Sequence, residues 1–242
     1  MKHGFLRTAA ATPKIKVADP EYNASQIIEL IGQGHSRGVK IMVFPELCLT
    51  GYTCGDLFLQ SPLLEKARGE LKRIVDSTKG KDTLVFLGLP WEHEGKLYNG
   101  AAAVHKGRLL GLIPKQNLPN YSEFYEVRHF CPGSGQPVMT EWDGGQVPFG
   151  ANLLFKCTDM PGLTVAAEIC EDVWVPCPPS TDHAAAGATV VVNCSASDET
   201  TGKDIYRHEL ICSQSARLVC AYIYANAGRV NPPRIWCLEG RI

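Results

Sequence analysis

An α/β domain built on a mixed sheet is predicted by three observations. Buried-strand runs alternate with amphipathic helical stretches along most of the 242 residues. Two strand runs, Leu97 to His105 and Arg108 to Pro114, meet across Lys106-Gly107 as a hairpin, which puts antiparallel strands among the crossovers. The chain carries no internal repeat, low-complexity tract or linker, so one large domain accounts for it.

Taken in order, Phe5 to Ala11 reads as a first strand with small residues on both faces. Asp19-Pro20 starts a helix, a capping side chain followed by proline at the first helical position. Ile27, Ile28, Leu30 and Ile31 form its apolar face, and Gly38 follows its end. Val39 to Phe44 is a buried strand stopped by Pro45, which leaves Glu46 at the carboxyl end. After the loop Leu49-Thr50-Gly51-Tyr52, Ser61-Pro62 caps a helix to about Thr78, with Leu63, Leu64, Ala67, Leu71, Ile74 and Val75 inward. Thr83 to Trp91 is a strand, the hairpin follows, and its second strand ends at Pro114-Lys115. Gln116 to Gly150 is weakly periodic; its aromatics argue against disorder and its length suits a site wall. Thr164 to Cys170 is a buried strand that runs into Glu171-Asp172. Ser180 caps a short helix to about Gly187, and Thr189 to Asn193 is a strand followed by Ser195-Ala196-Ser197. Asp204 to about Leu218 is helical with Ile205, Leu210 and Ile211 on its apolar side, and Val219 to Tyr224 is the last convincing strand.

Composition narrows the function classes. A net charge of −1 gives no reason to expect nucleic acid or an anionic membrane as partner. No apolar run approaches membrane-spanning length, and Met1 to Arg7 lacks the apolar core of an export signal. The ten cysteines include no C-x-x-C pair and no zinc-like His/Cys cluster, so no metal is expected. Ten cysteines without an export signal read as reduced thiols in the cytoplasm.

Glu46, Lys115 and Cys170 each follow a predicted buried strand. Strand ends sharing one sheet edge would bring a base, a cation and a nucleophile together. The acids flanking Cys170, namely Glu168, Glu171 and Asp172, raise its pKa, so activation must come from elsewhere in the chain. Lys115 would favour the thiolate and then hold an oxyanion, while Glu46 would carry the proton to a leaving amine. That chemistry suits acyl transfer from a carboxamide or nitrile. The seven histidines lack a strand-end setting, which disfavours a Cys–His pair.

The segments Phe44-Pro45-Glu46-Leu47 with Leu49-Thr50-Gly51-Tyr52, Pro114-Lys115, and Glu168-Ile169-Cys170-Glu171-Asp172 resemble, in this order, the three signature segments of the nitrilase (carbon–nitrogen hydrolase) superfamily. The resemblance covers residues 4 to about 228. It implies an αββα sandwich, a Glu–Lys–Cys triad, and homo-oligomers assembled through helical faces. A narrower likeness lies in Lys115 to Glu126, Cys170 to Pro176 and Asn193 to Ser197, which are similar to the glutaminase domains of bacterial glutamine-dependent NAD synthetases. This implies that Cys170 attacks the side-chain amide of glutamine and that a thioester forms. Ammonia would pass to a synthetase domain that uses ATP and magnesium to amidate deamido-NAD, while glutamine hydrolysis itself needs no cofactor. The same resemblance puts Glu126 beside the lysine, Tyr121, Glu171 and Ser197 near the glutamine amino and carboxylate groups, and Tyr52 close to the site. Packing remains the alternative for the two tyrosines, a surface acid for Glu126 and a turn or cap for Ser197. Residues 1–228 thus read as the hydrolase domain, and residues 229–242 as an atypical tail that departs from the family. The synthetase domain, and the last strands of the sandwich with it, are expected to be missing. A stand-alone amidase acting on another small amide, and an inactive fragment, are the competing readings.

Overall fold

The computed structural model describes residues 5–228 and 234–241. Met1 to Gly4, from the segment expected to hold no export signal, and residues 229–233 and 242 of the expected tail lie outside the described residues.

An eight-stranded sheet is built from β1 (Phe5–Thr12), β2 (Ile41–Val43), β3 (Leu84–His93), β4 (Lys96–His105), β5 (Arg108–Pro114), β6 (Val138–Trp142), β7 (Gly145–Phe149) and β12 (Arg234–Arg241). Its order is β12-β1-β2-β3-β4-β5-β7-β6. A four-stranded sheet has the order β11-β10-β9-β8, from β8 (Leu154–Lys156), β9 (Thr164–Ile169), β10 (Val190–Ser195) and β11 (Ala221–Asn226). Helices α1 (Pro20–Ser36) and α2 (Ser61–Ser77) cover the outer face of the first sheet. Helices α3 (Pro179–Ala185) and α4 (Lys203–Leu218) pack on β9 and β11 of the second. This is the expected αββα sandwich.

Side-chain alternation fixes the layers. Met42, Phe44, Val85, Leu87 and Leu89 join Ile27, Ile31, Leu71 and Ile74 of the helices in one core. Their strand neighbours Ile41, Val43 and Phe86 point the other way, onto Val165, Ala167, Ile169, Val190 and Val192 of the second sheet. Burying each such Leu, Ile, Val or Phe contributes about 1.5–3 kcal/mol. Ala101, Ala103 and Ala225 lie between the sheets and let the layers approach, and Phe155 fills the remaining space edge-on against Phe86 at 5.6 Å.

Several boundaries differ from expectation for local reasons. Asp19 caps α1 as predicted, accepting from the Tyr22 N–H at 3.1 Å. Helix α2 is instead preceded by Gln60 with no side-chain cap, so Ser61 and Pro62 stand inside its first turn. In α3, Ser180 does not cap; Pro178 precedes the helix and the Ser180 N–H goes to Glu168. The wall stretch contains the β6–β7 hairpin, whose Asp143-Gly144 turn places both residues at positive φ, 46° and 77°. Gly145 and Pro148 obscured those strands in the sequence. Helix α4 buries Gln214 rather than Ile205, which is exposed, because α4 lies over an outer strand of its sheet. Val219 is a left-handed, exposed helix end rather than strand. The tail contributes β12, antiparallel to β1, so Val219 to Tyr224 is not the last strand; Pro232-Pro233 hid this one.

Candidate active site

β2, β5 and β9 end on the same side of the sandwich, and each delivers one side chain. Beyond β2, Pro45 breaks the ladder and Leu47 takes a positive φ of 48°, which swings Glu46 inward. That turn lies directly on β3 at Gly88: a Cβ there would stand 2.3 Å from Leu47 N and 2.6 Å from Glu46 Cα. Gly88→Ala should therefore push the Glu46 turn away, costing about 1–3 kcal/mol of stability. Thermal melts and activity, measured together, check this; unchanged values for both would refute the close approach.

Glu46, Lys115 and Glu126 form one buried cluster. Lys115 Nζ donates to Glu46 Oε1 at 2.7 Å and to Glu126 Oε1 at 2.6 Å. Asn99 Nδ2 donates to Glu46 Oε1 at 2.7 Å and to Glu126 Oε2 at 3.2 Å. Tyr52 OH donates to Glu126 Oε1 at 2.7 Å, and the Ala196 N–H donates to Glu46 Oε2 at 3.0 Å. Burial opposes the Lys115 charge, but Glu46, Cys170 and Glu126 outweigh it and hold the ammonium above its usual range. Glu126 is raised by burial first and then by Glu46, against the pull of Lys115. Gly133 packs on Pro114, where a Cβ would come within 2.6 Å, so the Cys131-Pro132-Gly133 loop closes over the strand end that carries Lys115.

Cys170 begins a short 3-10 turn, Cys170–Val173, directly after β9 and has a positive φ of 42°. A left-handed non-glycine residue at a strand end is a strained elbow. Ser195 Oγ donates to Cys170 Sγ at 3.3 Å, and Ser195 immediately precedes the Ala196 that holds Glu46. The thiol is pushed up to about 12, by burial first and Glu46 second, with Lys115 opposing. The flanking acids do not lead that rise. Glu168 points to the helix side of its sheet, where it bonds Ser180 and Tyr222. Asp172 is turned back onto the elbow, accepting from the Ile169 N–H at 3.0 Å and the Asn117 N–H at 2.9 Å.

The remaining expected residues have partners outside the buried cluster. Tyr121 OH donates to Glu171 Oε2 at 2.9 Å on an exposed rim, and Phe124 stands edge-on to Tyr121 at 5.7 Å. Ser197 is buried, its backbone pinned by Asn226 through bonds of 2.8 and 3.1 Å. A cavity of about 240 Å³ opens beside Glu46 and Tyr52, against Thr12, Ile15, Val17 and Ala227-Gly228. Sequence reasoning gave no role to Asn99, Asn193 or Ser195. The available signal was a polar residue inside an apolar strand, as in Tyr98-Asn99-Gly100. Among the described residues no group of three or more His, Cys, Asp or Glu is placed to hold a metal ion, and no helix is long and apolar enough to cross a membrane.

The carbon–nitrogen hydrolase family profile matches residues 7–234. The chain belongs to this family. As a carbon–nitrogen hydrolase it is 41% identical over 227 residues to the glutamine-dependent NAD(+) synthetases of Mycobacterium bovis and Mycobacterium tuberculosis, a match covering 94% of this chain. The chain spans about a third of the length of those relatives, 33% in each case. A glutamine-dependent NAD(+) synthetase from Cytophaga hutchinsonii superposes with a TM-score of 0.86 at 29% identity, covering 97% of this chain and 43% of that one. An amidase from Nesterenkonia sp. superposes with a TM-score of 0.72 at 20% identity, covering 94% of this chain and 78% of that one, a likeness of fold.

Proposed function

We propose that this hydrolase domain is a glutaminase that releases ammonia from glutamine through a cysteine thioester. The observation that carries the reading is the buried Glu46–Lys115–Glu126 cluster set against the Cys170 elbow through Ser195-Ala196. The 41% identity to glutamine-dependent NAD synthetases supports glutamine as the amide. The resting thiol is neutral, so attack is coupled to proton transfer. Glu46 takes the Sγ proton as sulfur adds to the side-chain amide carbon. Two Lys115 N–H groups are held by Glu46 and Glu126, and the third stabilises the oxyanion. Glu46 then protonates the departing ammonia, and in a second round it activates the water that releases glutamate. Tyr121, Glu171 and Ser197 hold the substrate amino and carboxylate groups, while Tyr52 and Asn99 keep the carboxylates aligned.

No cofactor enters this chemistry. In the whole protein, ammonia is passed to a synthetase domain that uses ATP and magnesium to amidate deamido-NAD. The setting is cytoplasmic, and copies associate through their helical faces. The test incubates the purified chain with glutamine, with and without ATP. Glutamate and ammonia should form in equal amounts, independent of ATP, and no NAD should appear with deamido-NAD, ATP, magnesium and ammonium. Simple amides cleaved with a kcat/KM equal to that of glutamine would favour a general amidase. No hydrolysis of any amide would favour an inactive fragment.

A further inference from the structure

The Cys170 elbow needs a restraint that its own turn does not supply. The Ile169 N–H is satisfied within the turn by Asp172 Oδ2 at 3.0 Å. The Cys170 N–H is instead held from the neighbouring strand, donating to Asn193 Oδ1 of β10 at 2.9 Å. An asparagine amide has two faces, and only its oxygen fits here; turned over, its NH2 would oppose the Cys170 N–H.

A buried chain of hydrogen bonds decides which face is presented. Asn193 Nδ2 donates to Tyr222 OH at 3.1 Å. With Glu168 ionised, the single Tyr222 hydroxyl proton goes to its Oε1, so toward Asn193 the phenol can only accept. Glu168 Oε2 accepts the Ser180 N–H at 2.8 Å, and Ser180 Oγ accepts from Gln214 Nε2 of α4 at 2.9 Å. Asn193 and Glu168 are register partners on adjacent strands. They lie on the helix-covered face of the second sheet, since Val192, Cys194, Ala167 and Ile169 occupy the inter-sheet face. The Tyr222 hydroxyl and the Ser180 N–H are both neutral donors, so the buried Glu168 carboxyl is held by costly but directional bonds.

From this geometry we infer that Asn193 is a positioning residue for the nucleophile, locked in its productive orientation by the Glu168–Tyr222 pair. The inference rests on the glutaminase reading for its kinetic arm only. Asn193→Leu removes both bonds at similar volume, and Tyr222→Phe frees the amide to turn. In both variants kcat for glutamine should fall about tenfold or more while KM stays within about twofold, the pattern of a lost transition-state alignment. The second readout is the rate constant of Cys170 alkylation by iodoacetamide at pH 8, mapped to the Cys170 peptide by mass spectrometry. It should change by about threefold or more, the equivalent of about half a pKa unit, as Sγ shifts in the field of Lys115 and Glu46. An unchanged alkylation rate with unchanged kcat would overturn the inference, as would a raised KM at constant kcat. If Asn193→Leu fails to fold, Tyr222→Phe decides by the same criteria. A parent protein without glutaminase activity, but with an alkylation rate that changes in the variants, would overturn the functional reading and leave the positioning role standing.

Discussion

Cys170→Ser should fold like the parent and lose glutamine hydrolysis by about 10³-fold or more, the scale seen when covalent nucleophiles are removed. The fold should survive because the change is nearly isosteric and the contacts that set the elbow are unaffected. The backbone N–H of residue 170 still reaches Asn193, and Ser195 Oγ still has an acceptor at its 3.3 Å position. Activity should not survive, because a hydroxyl is a far weaker acid than even a thiol raised to about 12. The carboxylate of Glu46 is too weak a base to compensate. Glutamate release and circular dichroism, measured on the same preparation, check both halves. Turnover similar to the parent would place the nucleophile elsewhere.

Lys115→Met should damage both activity and stability. Removing the cation eliminates the oxyanion donor, a loss on the order of 10²–10³ in kcat from one such group. It also leaves the Glu46 and Glu126 carboxylates facing each other in a buried site without their ammonium. Breaking a buried ion pair in this way costs about 3–5 kcal/mol. The cost should depend on pH with a definite sign. Glu126 already titrates above the usual carboxylate range through burial and Glu46, and loss of Lys115, which opposes that rise, lifts it further. A carboxylate raised in the native state binds its proton there more tightly than in the unfolded chain. Stability of the variant therefore falls as pH rises from the unfolded carboxylate range through the raised native value. Thermal melts at pH 5 and pH 8 should show a larger deficit relative to the parent at pH 8. An equal deficit at both would mean that the carboxylates do not share the burden. Activity should be reduced by that order at either pH.

The strand ends were legible because they obey local rules. Pro45 and Pro114 stop apolar strands, and Thr164 to Cys170 is an apolar run broken by acid. Asp19-Pro20 and Lys106-Gly107 carry their own dihedral preferences, and both α1 and the β4–β5 hairpin formed where expected. The β6–β7 hairpin escaped although Asp143-Gly144 is a strong turn signal, because Gly145 and Pro148 suppress the strand pattern beside it. Strand β12 escaped because its pairing partner is β1, at the far end of the chain.

The sequence by itself determined the layered α/β class, the strand-end placement of Glu46, Lys115 and Cys170, and the apolar faces of α1 and α2. Each depends on side-chain period, proline or capping chemistry, all of which act over a few residues. Only the tertiary structure decided what these residues meet. Sequence proximity set Glu168, Glu171 and Asp172 beside the thiol, yet alternation leaves Glu168 on the helix side of its sheet, toward Tyr222, and the left-handed turn at Cys170 carries the thiol to the inter-sheet side. The carboxylate whose charge most raises the thiol is Glu46, from the facing sheet, and the two sheets close over Ala101, Ala103 and Ala225. Asn99 and Asn193 are ordinary strand residues until packing places them between charged or strained groups and no water remains to replace their hydrogen bonds.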